Sequence, residues 1–247
     1  MRSIQSAVAI DTRGAPGELH GVADVAALIP AYNCEATIAQ VVRGARAHIE
    51  HVLVVDDGSS DRTEDLARAA GAEVIRHPLN RGKGAALRTG MRLLQEHGAT
   101  HALTADGDGQ HLAEEIPALL SASAAEPEAL ILGARQIEPG TVHQMRIFGN
   151  WFANRWVEIA CGQAVDDSQS GFRVYPLRQT LALGCRADRF AFETEVIIRA
   201  ARAGMPLRSV PVGVYNPPIE TRISHFRPVV DTVRIIFAVL GLIFRVW

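Results

Sequence analysis

Two carboxylates stand two positions apart in the stretch A-D-G-D-G-Q-H, at the end of an apolar run. Asp106 and Asp108 would repel each other if they met without a partner, so the pattern favours a solvated turn or a bound cation. Gly107 and Gly109 allow the backbone to curl so that the neighbouring side-chain oxygens converge. Asp106, Asp108 and Gln110 then offer hard oxygen ligands with vacant positions, which suit Mg²⁺ or Mn²⁺ bound to a diphosphate.

A plain turn is the alternative for this stretch, because Asp-Gly is a strong turn signal. The position at the end of a predicted strand favours the metal. His111 follows directly, and we expect it to open the next helix rather than to bind the metal.

Five short apolar runs predict strands, because runs that are apolar on both faces are typical of parallel strands covered by helices. They span residues 24–30, 51–56, 72–76, 101–106 and 129–134. Helical patterns alternate with them. The order predicts an α/β fold, a doubly wound and mostly parallel sheet flanked by helices with right-handed crossovers.

Polar residues follow three of these strands, at the edge of the sheet where such folds bind ligands. Tyr32 and Asn33 follow the first strand, the turn of residues 56–59 ends the second, and Asp106 and Asp108 end the fourth. Three such turns at one edge predict a site.

The glycine-rich stretch N-R-G-K-G-A-A-L-R-T-G, residues 80–90, matches neither the phosphate-loop pattern nor the dinucleotide-binding pattern. Lys83 at a helix N-terminus is nevertheless placed to approach a phosphate. The glycines also suit close packing of that helix on the sheet, and the two interpretations are compatible.

The composition is that of an ordinary globular protein of 247 residues, with 48% hydrophobic residues and a formal net charge of −2. This charge gives no reason to expect nucleic acid as a partner. The three cysteines lack metal-type spacing and favour a reducing cytoplasm.

The two ends of the chain are predicted to lie outside the catalytic domain of residues 23–228. Residues 1–22 lack the apolar core of a secretory signal and are expected to form a flexible leader. For residues 229–247 the sequence predicts an apolar helix, which would dock on the protein or on an oligomer partner, lie on a membrane surface, or form the stub of a membrane anchor.

Taken together, these motifs resemble glycosyltransferase family 2, which has the GT-A fold. The resemblance runs from about residue 24 to about residue 228 and rests on I-P-A-Y-N-C-E-A-T-I, V-V-D-D-G-S-S-D-R-T and A-D-G-D-G-Q-H. Three later motifs, D-S-Q-S-G-F-R-V-Y, F-E-T-E and I-S-H-F-R-P, are similar to the dolichol- or polyprenol-phosphate glycosyl synthase branch.

The resemblance implies a role for each matching residue. The nucleotide-sugar donor would contact Pro30, Tyr32, Glu35, Asp56, Asp57, Lys83 and Asp106. The metal would lie on Asp106, Asp108 and Gln110, and the acceptor phosphate on Arg135, Arg146, Arg222 and Ser224. The catalytic residues would be Asp108, Asp167 and Glu193.

One position departs from the family pattern P-x-Y-N-E, since Cys34 takes the place of the glutamate and Glu35 follows it. A thiol cannot accept a hydrogen bond as a carboxylate does. The identity of the donor, GDP-mannose, UDP-glucose or another nucleotide sugar, therefore stays open.

The resemblance implies an inverting, metal-dependent transfer of a sugar to a polyprenyl phosphate, by a cytoplasmic enzyme peripheral to the inner face of a membrane. An anionic acceptor needs no strong base, whereas a hydroxyl acceptor would need Asp167 or Glu193. A soluble saccharide or small hydroxy acid is the alternative acceptor. A nucleotidyltransferase, or a non-catalytic nucleotide-sugar binding module, is a further alternative, and an oligomer is compatible with each.

Overall fold

The computed structural model of the chain describes residues 25–136, 154–189, 191–215 and 241. The strands are β1 Val25–Ala31, β2 Val52–Asp56, β3 Glu73–Arg76, β4 His101–Thr104, β5 Leu130–Arg135, β6 Arg173–Pro176 and β7 Leu207–Val212. The helices are α1 Ile38–Arg46, α2 Thr63–Ala69, α3 Lys83–Glu96, α4 Ile116–Ala125, α5 at 154–161, α6 Leu177–Ala182 and α7 Ala191–Arg202.

The seven strands form one sheet in the order β3-β2-β1-β4-β6-β5-β7. The pairs β3–β2, β2–β1, β1–β4 and β5–β7 are parallel, whereas β6 runs antiparallel to both of its neighbours, β4 and β5. The mostly parallel α/β sheet that the sequence predicts is therefore confirmed. All five predicted strands are present, and β6 and β7 are additional.

Two hydrophobic cores cover the two faces of the sheet. Successive side chains of β1 alternate between them: Leu28 packs in one core with Val55 and Leu87, whereas Ile29 packs in the other with Val42. Because strand residues alternate in direction, a strand covered on both faces must be apolar at every position. This explains the continuous apolar runs of the sequence.

Helix α3 packs unusually close to its neighbours, and two of its glycines make this possible. A Cβ atom on Gly90 would collide with the side chain of Leu28 in β1, and a Cβ atom on Gly84 would lie 2.7 Å from the Cβ of Phe192 in α7. The close-packing interpretation of the glycine-rich stretch is thus confirmed. It leaves Lys83 at the start of α3.

The predicted leader of residues 1–22 lies outside the described residues, and so does the predicted C-terminal helix of residues 229–247 apart from residue 241. Within the parts of the chain that the structure describes, no helix combines the length and the apolar character needed to cross a bilayer.

Candidate active site

The segments that follow β1, β2 and β4 meet at one edge of the sheet. The backbone N–H of Asp57 donates to the carbonyl of Ala31 at 2.8 Å, which joins the ends of β2 and β1. The hydroxyl of Thr37 donates to the carbonyl of Gly107 at 2.6 Å, which joins the segment after β1 to the turn after β4. The prediction that these turns form one cluster is therefore confirmed.

Asp56 is completely buried at the end of β2 and keeps one carboxylate oxygen without a hydrogen bond. Its Oδ1 accepts hydrogen bonds from the backbone N–H of Ser59, at 3.0 Å, and from the Ser59 hydroxyl. Its Oδ2 lies 3.3 Å from Nη1 of Arg76 but has no hydrogen-bond donor among the described residues. Since a buried acceptor without a donor is unfavourable, this oxygen is suited to an N–H or O–H group of a ligand.

Asp57, in contrast, uses both of its oxygens inside the protein. Oδ1 accepts from the backbone N–H of Arg81 at 3.0 Å and lies 2.7 Å from Nδ1 of His77. Oδ2 accepts from the backbone N–H of Gly82 at 2.6 Å. These contacts fix the loop that leads into α3.

Cys34, where the sequence departs from the family pattern, and its neighbours have different surroundings. The Cys34 thiol is buried and donates to the carbonyl of Tyr32 at 3.3 Å, and burial raises its pKa to about 12. Glu35 is exposed and accepts from the backbone N–H of Arg62 at 3.2 Å, at the start of α2. Pro30 is buried at the end of β1, beside Val55. Among described contacts, Glu35 is therefore turned toward α2.

Lys83, at the first position of α3, bridges two acids of the predicted site. Its Nζ lies 2.5 Å from Oδ1 of Asp106 and 3.0 Å from Oε1 of Glu193, at the start of α7. The three residues come from separate elements: α3, the end of β4 and α7. The sequence predicted each of them for the site, and the structure brings them into direct contact.

Burial and the neighbouring charges shift the pKa values of this cluster in opposite directions. Burial disfavours the Lys83 ammonium, but Asp106 and Glu193 hold its pKa above the ordinary lysine value. Burial also opposes ionisation of Asp106, yet the charge of Lys83 keeps the pKa of this carboxyl below its ordinary value. For Glu193, burial outweighs Lys83, and the pKa is raised.

Two neighbours of Asp106 complete this corner. A Cβ atom on Gly171 would lie 2.7 Å from both the Lys83 Nζ and Oδ2 of Asp106, so that position admits only glycine without a shift. Nε2 of His111 lies 3.5 Å from Oδ2 of Asp106, and its ring packs edge-on against Phe172 at a centroid distance of 4.9 Å. Burial lowers the pKa of His111 to about 4.

The expectation that His111 opens a helix is wrong. His111 pairs as an isolated bridge with Val214, and α4 begins five residues later, after a short 3₁₀ turn at Ala113–Glu115. The bridge places His111 in an extended segment rather than in a helix, and its ring lies beside Asp106.

Asp108 and Gln110 form the rest of the predicted metal site. Oδ1 of Asp108 accepts from the backbone N–H of Gln110 at 3.0 Å, and Oδ2 accepts from the Gln110 Nε2 at 2.7 Å. No cluster of three His, Cys, Asp or Glu side chains able to hold a metal ion occurs in the described ranges. The carboxylates of Asp106 and Asp108 and the amide of Gln110 nevertheless fit Mg²⁺ or Mn²⁺, which retain waters and accept diphosphate oxygens. The Gln110 amide would have to turn its oxygen toward the ion.

Arg135 and Asp167 bind each other through two points of contact. Nε and Nη2 of Arg135, at the end of β5, donate to Oδ2 and Oδ1 of Asp167 at 2.6 and 3.0 Å. The backbone N–H of Gln169 also donates to Oδ1 at 3.2 Å. Burial would raise the pKa of Asp167, but its bonds with Arg135 hold that pKa below the ordinary value. Arg135 retains Nη1, which has no partner among the described residues.

Three predicted residues for the acceptor phosphate, Arg146, Arg222 and Ser224, lie outside the described residues.

Two residues take part in the site although the sequence analysis did not single them out. Arg173, fully buried in β6, donates to the carbonyls of Ser168, Ser170 and Glu193 at 2.7–2.9 Å. His77 contacts Asp57. Arg173 stands inside the motif S-G-F-R, whereas no local pattern marks His77.

Comparison with known proteins gives the class to which this fold and site belong. Residues 26–184 match the family model "Glycosyl transferase family 2". The chain is 29% identical over 208 residues to the UDP-N-acetylglucosamine--dolichyl-phosphate N-acetylglucosaminyltransferase of Methanococcus voltae, covering 75% of this chain and 83% of that one. It is 30% identical over 201 residues to the polyprenol monophosphomannose synthase of Mycolicibacterium smegmatis, covering 75% of each chain.

Solved structures share the fold. Glucosyl-3-phosphoglycerate synthase from Mycobacterium tuberculosis, in complex with Mn²⁺, UDP and phosphoglyceric acid, aligns with a TM-score of 0.69 at 22% identity, over 88% of this chain and 78% of that one. The architecture is thus that of GT-A glycosyltransferases. The chain belongs to glycosyl transferase family 2 and resembles its polyprenol-phosphate glycosyl synthase branch. It is a glycosyltransferase.

Proposed function

We propose that the protein transfers a sugar, with inversion, from a nucleoside-diphosphate sugar to a polyprenyl phosphate of the dolichyl type. The observation that carries the choice of acceptor is the engagement of both candidate bases. Asp167 is held by Arg135 through two hydrogen bonds, and Glu193 is held by Lys83. A hydroxyl acceptor would require a free base, whereas a phosphate is already anionic at neutral pH.

The acceptor phosphate is assigned to Arg135. The Asp167 carboxylate fixes two nitrogens of the guanidinium, and Nη1 remains for a phosphate oxygen. A guanidinium offers several donors in one plane and binds two partners at once. Arg146, Arg222 and Ser224 are proposed to complete this subsite on the strength of the family motifs. The names of the relatives from Methanococcus voltae and Mycolicibacterium smegmatis support a lipid phosphate as acceptor.

The nucleotide-sugar donor is assigned to the other part of this edge of the sheet, away from Arg135. Oδ2 of buried Asp56 lies near Arg76 but accepts no hydrogen bond within the described residues, and it would accept an N–H of the nucleobase, beside Tyr32 and Pro30. Lys83 lies where the diphosphate of the donor would approach the start of α3. Glu35 would take part only after leaving the start of α2.

Asp106, Asp108 and Gln110 would hold Mg²⁺ or Mn²⁺, which would supply Lewis-acid stabilisation of the charge on the leaving diphosphate. The acceptor phosphate oxygen forms a bond to the anomeric carbon while the bond from that carbon to the diphosphate oxygen breaks. The products are the glycosyl lipid phosphate and the nucleoside diphosphate. Lys83 offsets part of the negative charge that Asp106 and Glu193 bring to this corner.

A lipid acceptor requires contact between the enzyme and a bilayer. We assign this contact to the apolar segment of residues 229–247, beside a catalytic domain of residues 23–228 and a leader of residues 1–22, at the cytoplasmic face. Flotation of the full chain and of a chain ending at residue 228 with anionic liposomes tests this assignment. Equal flotation of the two proteins would contradict it.

A product assay tests the activity itself. The protein would be incubated with Mn²⁺ or Mg²⁺ and a panel of nucleotide sugars, with and without a short polyprenyl phosphate. Asp108→Ala serves as the inactive comparison, and Asp188→Asn, which changes an exposed carboxylate, serves as the matched control. Metal-dependent release of nucleoside diphosphate that requires the lipid supports the proposal. Release that requires a saccharide or small hydroxy acid instead would replace the acceptor, and release of pyrophosphate would indicate a nucleotidyltransferase.

A further inference from the structure

A buried histidine joins three elements on the donor side of the site. His77 follows β3, is only 2% exposed, and donates its backbone N–H to the carbonyl of Asp56 at 2.8 Å. Its Nδ1 lies 2.7 Å from Oδ1 of Asp57, and its Nε2 lies 3.0 Å from the hydroxyl of Thr89 in α3. Both ring nitrogens are therefore engaged with side chains.

The partner of this histidine holds the start of α3. Asp57 accepts hydrogen bonds from the backbone N–H groups of Arg81 and Gly82, at 3.0 and 2.6 Å. Gly82 precedes α3 with a φ of 90°, in the left-handed region that favours glycine. The next residue is Lys83, which reaches Asp106 and Glu193. The orientation of the Asp57 carboxylate thus sets the direction in which Lys83 leaves the backbone.

The loop before α3 is packed closely on both sides. A Cβ atom on Gly58 would lie 2.7 Å from the backbone carbon of Leu79, so the loop packs directly on the turn after β2. On its other side, a Cβ atom on Gly82 would lie 2.7 Å from Cγ of Arg189. Because the loop is confined on both sides, a shift of Asp57 must be passed on to Gly82 and Lys83.

We propose that His77 is a positioning residue for the donor site. His77 orients the Asp57 carboxylate from one side and contacts α3 through Thr89 from the other, and it thereby keeps Lys83 aimed at Asp106 and the donor diphosphate. This inference rests on the proposed function, because it assigns His77 to the binding of a nucleoside diphosphate. It adds a residue that does not itself touch the substrate.

A histidine at the amino ends of the strands, on the side of the sheet away from the site, provides a matched control. His101, at the start of β4, also engages both ring nitrogens, with the Thr100 hydroxyl at 2.9 Å and the Pro127 carbonyl at 2.8 Å. It lies at the amino end of its strand, away from the site. Loss of its ring should therefore affect stability without affecting the donor.

The test compares His77→Ala, His77→Asn, Thr89→Val and His101→Ala in the full-length protein. The affinity for UDP and GDP in the presence of Mn²⁺ is measured by calorimetry, and kcat and the KM for the donor are measured in the product assay. All measurements are made well below the lowest Tm of the set. His77→Asn retains an N–H close to the place of Nδ1 and is the variant that preserves the contact with Asp57.

We expect His77→Ala to weaken nucleoside-diphosphate binding and to lower kcat/KM roughly tenfold to a hundredfold, the effect typical of a small displacement of a binding group. His77→Asn should recover most of this loss, Thr89→Val should lose less than His77→Ala, and His101→Ala should match the unsubstituted protein. Unchanged binding, kcat and KM in His77→Ala would overturn the inference, as would His77→Asn that binds no better than His77→Ala. Failure of the unsubstituted protein to bind either nucleotide would instead overturn the proposed function.

Discussion

The Arg135 guanidinium and the Asp167 carboxylate form a two-point ion pair, although the two residues are 32 positions apart in the sequence. The sequence motifs suggested separate tasks for them, a phosphate contact and a base. Their geometry joins these tasks, because a carboxylate that accepts two hydrogen bonds from a guanidinium is held in its ionised form and is a weaker base than a free carboxylate. Asp167 is better described as the residue that orients Arg135.

A double-mutant cycle tests this relationship. We expect Arg135→Met and Asp167→Asn each to raise the KM for the lipid phosphate about tenfold, with a smaller effect on kcat, and the double variant to be no worse than Arg135→Met alone. The measurement is steady-state kinetics with varied lipid phosphate. A loss of kcat by about a thousandfold in Asp167→Asn at unchanged KM would instead identify Asp167 as the base.

The same ion pair should leave a signature in the pH dependence of stability. The folded-state pKa of Asp167 lies below its unfolded value, so its contribution to the free energy of unfolding is complete above about pH 4 and is lost as the pH falls further. We expect Asp167→Asn to cost about 3 kcal/mol near neutral pH, since it removes one partner of a buried pair. The difference between the two proteins should narrow below about pH 4.

Denaturant unfolding at several pH values measures this difference. Asp188→Asn is the control, because Asp188 pairs with Arg88 but its side chain is 69% exposed. Exposed pairs contribute less than about 1 kcal/mol, and the control should differ little from the unsubstituted protein at any pH. A difference for Asp167→Asn that stays constant into the acid range would contradict the assignment.

Lys83→Met should separate metal binding from turnover. The Lys83 ammonium competes with a divalent cation for Asp106, which lies 2.5 Å from its Nζ. Its removal is expected to tighten Mn²⁺ binding several-fold, because a positive charge next to the site is lost. Transfer should nevertheless fall by about a hundredfold, because the diphosphate loses a positive contact. Titration with Mn²⁺ followed by electron paramagnetic resonance measures the affinity, and weaker Mn²⁺ binding by the variant would refute the competition.

Gly171→Ala should strongly reduce activity while leaving the fold intact. The added Cβ would lie 2.7 Å from both the Lys83 Nζ and Oδ2 of Asp106 and must push them apart. We expect a loss of about a hundredfold in kcat, since small displacements at the reacting centre have effects of that size. The Tm should change little, because Lys83 can move toward Glu193.

The control for this variant is Gly98→Ala. Gly98 has a φ of 92°, and no atom of the described residues lies within 4 Å of the place that a Cβ would take, so the substitution adds backbone strain at a distance from the site. It should cost about 1 kcal/mol of stability without loss of activity. Full activity of Gly171→Ala would show that Lys83 and Asp106 need not be this close.

The sequence predicted strands β1 to β5 well, because strands buried on both faces leave continuous apolar runs such as L-I-P and V-L-V-V. It did not predict β6, whose four residues R-V-Y-P include the buried charge of Arg173. It also did not predict β7, an edge strand with exposed polar positions and a proline. The pattern of apolar residues indicates only where apolar side chains are buried. It does not reveal a strand that carries a buried charge or a strand at the exposed edge of the sheet.

The candidate site was predictable as a set of residues but not as a set of contacts. Asp106, Lys83 and Glu193 were each singled out by motif or by position, yet nothing in the local sequence indicates that Lys83 lies between the two acids. Such pairings depend on how α3 and α7 pack against β4. The role of His77 is similar, because it arises from a contact with Asp57 that only the folded chain creates.

The reversed direction of β6 brings a late stretch of the chain to the same edge of the sheet as the early strands. Because β6 runs against β4, its first residue lies beside Thr104 at the site edge, and the segment before it delivers Asp167 and Gly171 to the site. Residues 25–111 supply the proposed donor half, and residues 130–215 supply the described portion of the acceptor half. Each half is continuous in the sequence, but the two halves are packed together at the site, because Lys83 contacts Glu193 and Gly84 in α3 packs against Phe192 in α7. A change of acceptor by exchange of the second half would therefore have to keep these contacts.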